Sequence, residues 1–222
     1  MKPLNRFGLI AGVAAALTCY SRYARPWMLT WGATPAEVSR RLPGDDLIRG
    51  QYVTTHAISI DRPPAAVWPW LVQMGYQRGG WYSYDQLEKA VNIGDFADGG
   101  SAKRIIPGLQ SLAVGDTVAL SPGGGFTVAV LEPGRSLVLR IPMDPLTGGP
   151  SSDRSRVVLD WTWAFILEPV GKHGCRLIIR VRGDLRPRWL VVGLPLLDPV
   201  HLLMERKMLQ TIKQRAESST GS

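Results

Sequence analysis

With 222 residues, the chain is long enough for one good hydrophobic core or at most two small ones. Its 45% apolar and 20% charged residues exclude both a disordered chain and one embedded throughout in a membrane. Twenty-six Lys and Arg against 18 acids leave a net charge of +8, a balance that favours anionic partners such as a lipid surface. No nucleic acid is expected, because the basic residues gather toward the two ends without the aromatic interleaving of a nucleic-acid module.

Lys2 and Arg6 precede an uncharged run from Phe7 to Ser21, closed by Arg22. About fifteen helical residues reach roughly 22 Å, short of a hydrocarbon core of about 30 Å. Residues 1–25 therefore read as a membrane anchor that spans or lies on the bilayer, a transmembrane helix if the bilayer thins around it. The arginines that follow (Arg22, Arg25, Arg40 and Arg41) put the rest of the chain on the cytoplasmic side. The alternative is export after signal cleavage near Ala14-Ala15-Ala16. Residues 26–49 read as a connector with one short helix, since Thr34-Pro35-Ala36-Glu37 has the form of a capping box with a first-turn proline.

A main domain is expected over residues 50–217, with a disordered tail at 218–222. Tyr52 to Ile60 reads as a strand, ended by Asp61-Arg62-Pro63-Pro64. Val67, Trp70, Leu71 and Met74 have helical spacing, around an awkward Pro69. Ser83-Tyr84-Asp85-Gln86 reads as the capping box of a second short helix, carried on by Leu87 and Val91 to Gly94. Short strands follow at Thr117 to Leu120, Phe126 to Leu131 and Leu137 to Ile141, parted by Gly- and Pro-rich turns. Val157 to Leu167 is the clearest strand, with Val157, Leu159, Trp161, Trp163, Phe165 and Leu167 on one face. Cys175, Leu177, Ile179 and Val181 repeat the inward pattern, opposed by Arg176, Arg180 and Arg182, so the sheet is expected to have one wet side. A long helix starts at Asp198-Pro199, its apolar stripe formed by Val200, Met204, Met208 and Ile212. The fold class is α+β: an antiparallel sheet covered by a long C-terminal helix, with two short helices after the first strand.

This order, together with Ile58-Ser-Ile-Asp-Arg-Pro-Pro-Ala-Ala-Val-Trp-Pro-Trp-Leu-Val-Gln-Met-Gly75, Gly80-Trp-Tyr-Ser-Tyr-Asp85, Val114-Gly-Asp116 and Trp163-Ala-Phe-Ile-Leu-Glu-Pro169, resembles the START-like, Bet v 1-like (SRPBCC) superfamily. That superfamily includes the polyketide cyclase/dehydrase group, and the match is closer to a bacterial group of unassigned function. The resemblance implies a helix-grip fold, a curved antiparallel sheet wrapped on the C-terminal helix, with a cavity between them. It also implies a hydrophobic ligand such as a lipid, quinone or polyketide. It transfers no catalytic residue.

The candidate cavity residues are His56, Trp70, Trp81, Tyr82, Tyr84, Asp85, Trp161, Trp163, Met204 and Met208. Eight Trp against four Phe suit a half-wet wall, since these rings carry one polar edge, although core filling explains them as well. His56 has no nucleophile or carboxylate placed beside it by spacing, and neither His173 nor His201 stands in a metal motif. Cys19 and Cys175 form no disulfide framework. No catalytic residue, metal or cofactor is therefore expected. Binding or carrying of a hydrophobic molecule near a membrane is the leading reading. A cyclase- or aromatase-type enzyme and a membrane-proximal interaction module are the alternatives.

Overall fold

The computed structural model describes residues 6–90, 92–97, 99–144 and 158–218. Val91, Val157 and the tail from residue 219 lie outside the described residues. Six antiparallel strands form one curved sheet: β1 (Tyr52–Ile60), β2 (Thr117–Ser121), β3 (Gly124–Glu132), β4 (Ser136–Met143), β5 (Val158–Val170) and β6 (Gly174–Arg186). Their order is β1-β6-β5-β4-β3-β2, so the first strand pairs with the last, and β5 and β6 run beside one another as a long hairpin. Helix α6 (Asp198–Ser218) lies across the inner face. The architecture is the α+β helix grip that the resemblance implied. Two short helices, α4 (Pro64–Val72) and α5 (Asp85–Ala90), follow β1, and Val67, Trp70, Leu71 and Met74 are buried at the spacing read from the sequence.

The chain before β1 holds more helix than a connector and an anchor. Helix α1 (Arg6–Cys19) runs through a π turn at Tyr20–Ala24 into α2 (Arg25–Leu29), and α3 (Pro35–Ser39) follows. The capping box of α3 is present, with Glu37 N–H donating to Thr34 Oγ1 at 3.2 Å and Thr34 N–H to Glu37 Oε2 at 2.7 Å. Between α2 and α3 the chain passes so close to β1 that a Cβ on Gly32 (φ +73°) would lie 2.2 Å from the Ala57 carbonyl oxygen. Leu9, Ile10, Val13 and Leu17 of α1 are exposed. Among the described residues no helix is long and apolar enough to cross a membrane, which corrects the transmembrane reading of residues 7–21.

The expectation of a sheet with one wet side is also corrected. Residues 33–47 lie on the outer face, where Leu42 and Leu47 meet Ala57, Val138, Ala164, Ile166 and Ile178. Arginines fasten this cover, because a guanidinium offers several donors in a rigid fork. Arg180, 2% exposed, donates to Asp45 Oδ2 (2.7 Å), Thr55 Oγ1 (3.2 Å) and the carbonyls of Glu37 (2.6 Å), Val38 (2.9 Å) and Arg40 (2.9 Å). Arg182 Nε reaches the other oxygen of Asp45 at 2.8 Å, and Arg176 Nε pairs with Glu37 at 2.7 Å. Burial works against the charge of Glu37, yet the bonds from Arg176 and Thr34 win and hold its pKa near 2.

Two local expectations change as well. Val200 and Leu203 are exposed, because α6 turns Leu202, Glu205, Leu209, Ile212 and Ala216 inward with Met208. Ser83 does not cap α5, since its Oγ–H donates to the Met204 carbonyl at 3.0 Å and its N–H to Glu88 Oε1 at 3.1 Å. Arg180→Ala would strand the buried carbonyls of Glu37, Val38 and Arg40 and leave Asp45 with Arg182 alone as its cation, and should lower the urea midpoint by the equivalent of about 3–5 kcal/mol with an unchanged slope. Arg140→Ala, at a partly exposed pair with Asp160, should cost no more than about 1 kcal/mol. Equal losses in the two variants would contradict this account of the outer face.

Candidate functional site

The inner face of β5 changes character along its length. Phe165 and Leu167 are buried against α4 and α6, whereas Leu159, Trp161 and Trp163 on the same face keep part of their surface exposed. At this end, rings pack between the sheet and the first turns of α6. Tyr52 stacks on Trp161 (5.7 Å between centroids), and His201 stands edge-on to Trp161 (6.0 Å). Trp163 stacks on Trp81 (5.4 Å) and leans on Phe126 (5.9 Å).

A polar centre sits behind these rings. His56 is fully buried in β1, opposite Ile179 of β6, with its side chain toward α6. Its Nδ1 meets Glu205 Oε2 in a very short hydrogen bond, and its Nε2 lies 2.7 Å from the Met28 carbonyl oxygen. That carbonyl belongs to the last turn of α2, where intrahelical partners run out. Both neighbours of the ring are oxygen acceptors, so the ring carries both protons and faces Glu205 as an imidazolium. Burial alone would lower the His56 pKa, but the charge and hydrogen bond of Glu205, with the Met28 carbonyl, raise it. Burial likewise opposes the charge of Glu205, and His201 and His56 outweigh it, so this carboxyl is held well below its usual range. Trp163 Nε1–H donates to Glu205 Oε1 at 2.8 Å. His201, one turn before Glu205, places its Nε2 3.6 Å from Glu205 Oε2. Alongside, Asp198 is buried and bonded to Arg25 Nε (2.7 Å) and to the Tyr52 hydroxyl.

The sequence-derived candidates divide between this centre and other places. His56, Trp161 and Trp163 belong to it, with Trp81 in the next layer of rings. Trp70 and Tyr82 form an edge-on pair in the core beneath α4 (6.1 Å), where Tyr82 Oη accepts from Gln73 Nε2 at 2.9 Å. Met208 is buried in the same core, and Met204 is half-buried with its carbonyl taken by Ser83. Tyr84 faces solvent, beneath the ammonium of Lys207. Asp85 is occupied at the loop, accepting from Ser101 N–H (3.0 Å) and Oγ–H (2.5 Å). Glu205, Tyr52 and Asp198 were not singled out as site residues in the sequence, and His201 was weighed there as a metal ligand and set aside. The available signal was the His201-Leu-Leu-Met-Glu205 spacing, which puts an imidazole and a carboxylate on one helix face.

The centre joins a fixed positive donor, a carboxylate and a half-exposed imidazole beside an aromatic wall. It can orient the oxygen-bearing end of an apolar molecule, and His56, His201 and Glu205 are the described residues that could together hold a metal ion.

Glu88 is the other perturbed carboxyl. Burial pushes its pKa up to about 7, the nearby Asp85 adds to this, and N–H donation from Ser83 and Trp81 offsets it only in part. A carboxyl raised on folding stabilises fully below its unfolded pKa of about 4.3, and that contribution is lost as pH rises through about 7. Glu88→Gln should therefore flatten the stability profile between about pH 4.3 and 8 and raise the melting temperature at pH 8. An unchanged pH profile in urea unfolding would count against the buried, protonated carboxyl.

No family model and no curated protein matches the chain. Solved structures do resemble it. A Mesorhizobium loti protein is 17% identical, with 77% of this chain and 100% of that one covered and a TM-score of 0.40. A conserved Geobacillus kaustophilus protein is 13% identical over 76% and 97%, with a TM-score of 0.42. A Thalictrum norcoclaurine synthase point mutant, in complex with a transition-state analogue, is 16% identical over 73% and 94%, with a TM-score of 0.37. The chain's own strand order and its long covering helix give it a helix-grip fold.

Proposed function

We propose that the chain binds a hydrophobic small molecule (lipid-, quinone- or polyketide-like) between the sheet and the start of α6, beside a membrane. The observation that carries this reading is the cluster of partly exposed rings, Trp161 and Trp163 with Tyr52, Trp81 and His201 against them, beside the buried His56–Glu205 pair. Aromatic walls with a few convergent polar groups are what apolar ligands with one polar end require. The His56–Glu205 pair and His201 supply those groups.

Membrane association draws on two exposed apolar stretches that meet. Tyr20 Oη–H donates to the Pro195 carbonyl (2.5 Å) and Arg25 pairs with Asp198 (2.7 Å), which joins the foot of the first helix to the 3₁₀ segment Arg188–Leu196. That segment exposes Trp189 (70%), Val192 (81%) and Leu196 (82%). Tryptophan and arginine beside bare aliphatic side chains suit the headgroup region of an anionic bilayer. The arginines after residue 21 favour the cytoplasmic side for the domain.

An enzyme of the cyclase type is the second reading, favoured by His201, whose Nε2 has no hydrogen bond of normal length and stands beside a carboxylate. A ring so placed can take a proton from a bound substrate.

Three measurements test these readings. Trp161→Ala should weaken binding of a hydrophobic fluorescent probe by several-fold, with Met208→Trp weakening it if the bound molecule reaches the core; unchanged probe affinity in Trp161→Ala would remove the wall from the site. Truncation of residues 1–19 with Trp189→Glu and Leu196→Glu should abolish sedimentation with phosphatidylglycerol vesicles; retention of vesicle binding would refute the membrane face. The cut keeps Arg25 and Met28, which hold Asp198 and His56. With an extract-derived ligand, conversion by the wild type that disappears in His201→Ala would replace the carrier by the enzyme.

A further inference from the structure

We infer that His56, His201 and Glu205 form a binding site for a divalent first-row transition-metal ion of the zinc class. The inference stands apart from the hydrophobic-ligand reading, since it rests on three side chains and their supports.

Helical geometry comes first. His201 and Glu205 are four residues apart on α6, so they project from the same face one turn apart, and β1 carries His56 up to them from the sheet. One imidazole nitrogen from each histidine and one carboxylate oxygen all lie within 4.8 Å of one another. Two imidazoles with one carboxylate are a donor set that suits zinc and its neighbours, while calcium and magnesium favour all-oxygen shells.

The supports behind the donors carry the argument further. Metal-bound histidines and carboxylates are usually held from behind by a second hydrogen bond that fixes their orientation. The Met28 carbonyl does this for His56 through Nε2 at 2.7 Å, which leaves Nδ1 as the ligating atom once the ring is neutral. Trp163 Nε1–H does it for Glu205 through Oε1 at 2.8 Å, which leaves Oε2 free to ligate. The remaining donor, His201 Nε2, is shielded from solvent and makes no hydrogen bond of normal length, with Glu205 Oε2 3.6 Å away. The atoms turned toward the common point are thus engaged only with one another, through the longer His201–Glu205 contact and the His56–Glu205 hydrogen bond. An ion entering there replaces the proton shared by that pair, in the way metals compete with protons for imidazole. The His201 side chain keeps 22% of its surface exposed, which gives an entry path and leaves a coordination position for water or a ligand oxygen.

The test uses the full chain in detergent, stripped of metal by chelation and dialysed. Zn²⁺ is titrated by calorimetry, and Co²⁺ is followed by visible d–d absorption and by quenching of Trp fluorescence. The expected result is one equivalent of either ion, an intense Co²⁺ spectrum of four or five coordination, and a rise in melting temperature with Zn²⁺. His201→Ala should weaken Zn²⁺ binding by about 10–100-fold or more and cancel the rise. His201 is partly exposed and makes no hydrogen bond of normal length through Nε2, so this variant should fold, whereas His56→Ala removes the imidazole that Glu205 is buried against. His173→Ala, at the distant β5–β6 turn, should change nothing. A weak, octahedral Co²⁺ spectrum, or binding that survives His201→Ala, would overturn the site.

Discussion

The fold turns on a charged pair buried between β1 and α6. His56 and Glu205 leave water together, and a buried ion pair is tolerable only when the remaining donors and acceptors are satisfied. Those partners come from elsewhere in the chain: the Met28 carbonyl at the end of α2 and the indole of Trp163 in β5. One polar centre thereby ties together the first helices, the edge strand, a central strand and the covering helix. It also sets the rotation of α6. With Glu205 inward, Leu202, Leu209, Ile212 and Ala216 follow it into the core, and Val200 and Leu203 are carried out to the surface. The same rotation leaves an apolar outer face beside the exposed Trp189, Val192 and Leu196.

A second buried charge organises the opposite side of the sheet. Arg180 cannot reach solvent through residues 33–47, so it converts their carbonyls and Asp45 into acceptors that fix the segment in place. The strands are therefore apolar on both faces near the centre, unlike an antiparallel sheet with one face in water. The segment before β1 is part of the domain's energetics, because cutting it away would expose Ala164, Ile166 and Ile178 and strip Arg180 of its partners.

These two centres give a helix-grip architecture two buried charges with unlike surroundings. The core end of the inner face is filled by Trp70, Tyr82, Phe165 and Met208, and the other end keeps exposed ring surface beside polar atoms. The apolar rings there stand against the His56–Glu205–His201 cluster, so aromatic surface and polar atoms share one end of the face. Tyr20 and Arg25 fasten the first helix to the segment leading into α6, which carries His201 and Glu205.

Much of the architecture was legible in the sequence because it follows from periodicity. The two-residue alternation around Trp161 and Trp163 marked the face toward the helix, the Thr34 box marked α3, and Asp198-Pro199 marked the start of α6. The alternation of Arg176, Arg180 and Arg182 was equally legible, but it said only that they lie opposite the core, and solvent was the default reading. Tertiary structure decided otherwise, because carbonyls of residues 37–40 come within reach only once the chain has folded back over β6. The candidate site divides in the same way. His56 and the Trp residues could be assigned to the inner face by strand period, whereas Glu205 looked like one more charge on a long helix. Whether a helical carboxylate faces water or a buried imidazole depends on the rotation of the helix about its axis. That rotation is set by a partner 149 residues away, a distance over which local sequence pattern carries no information.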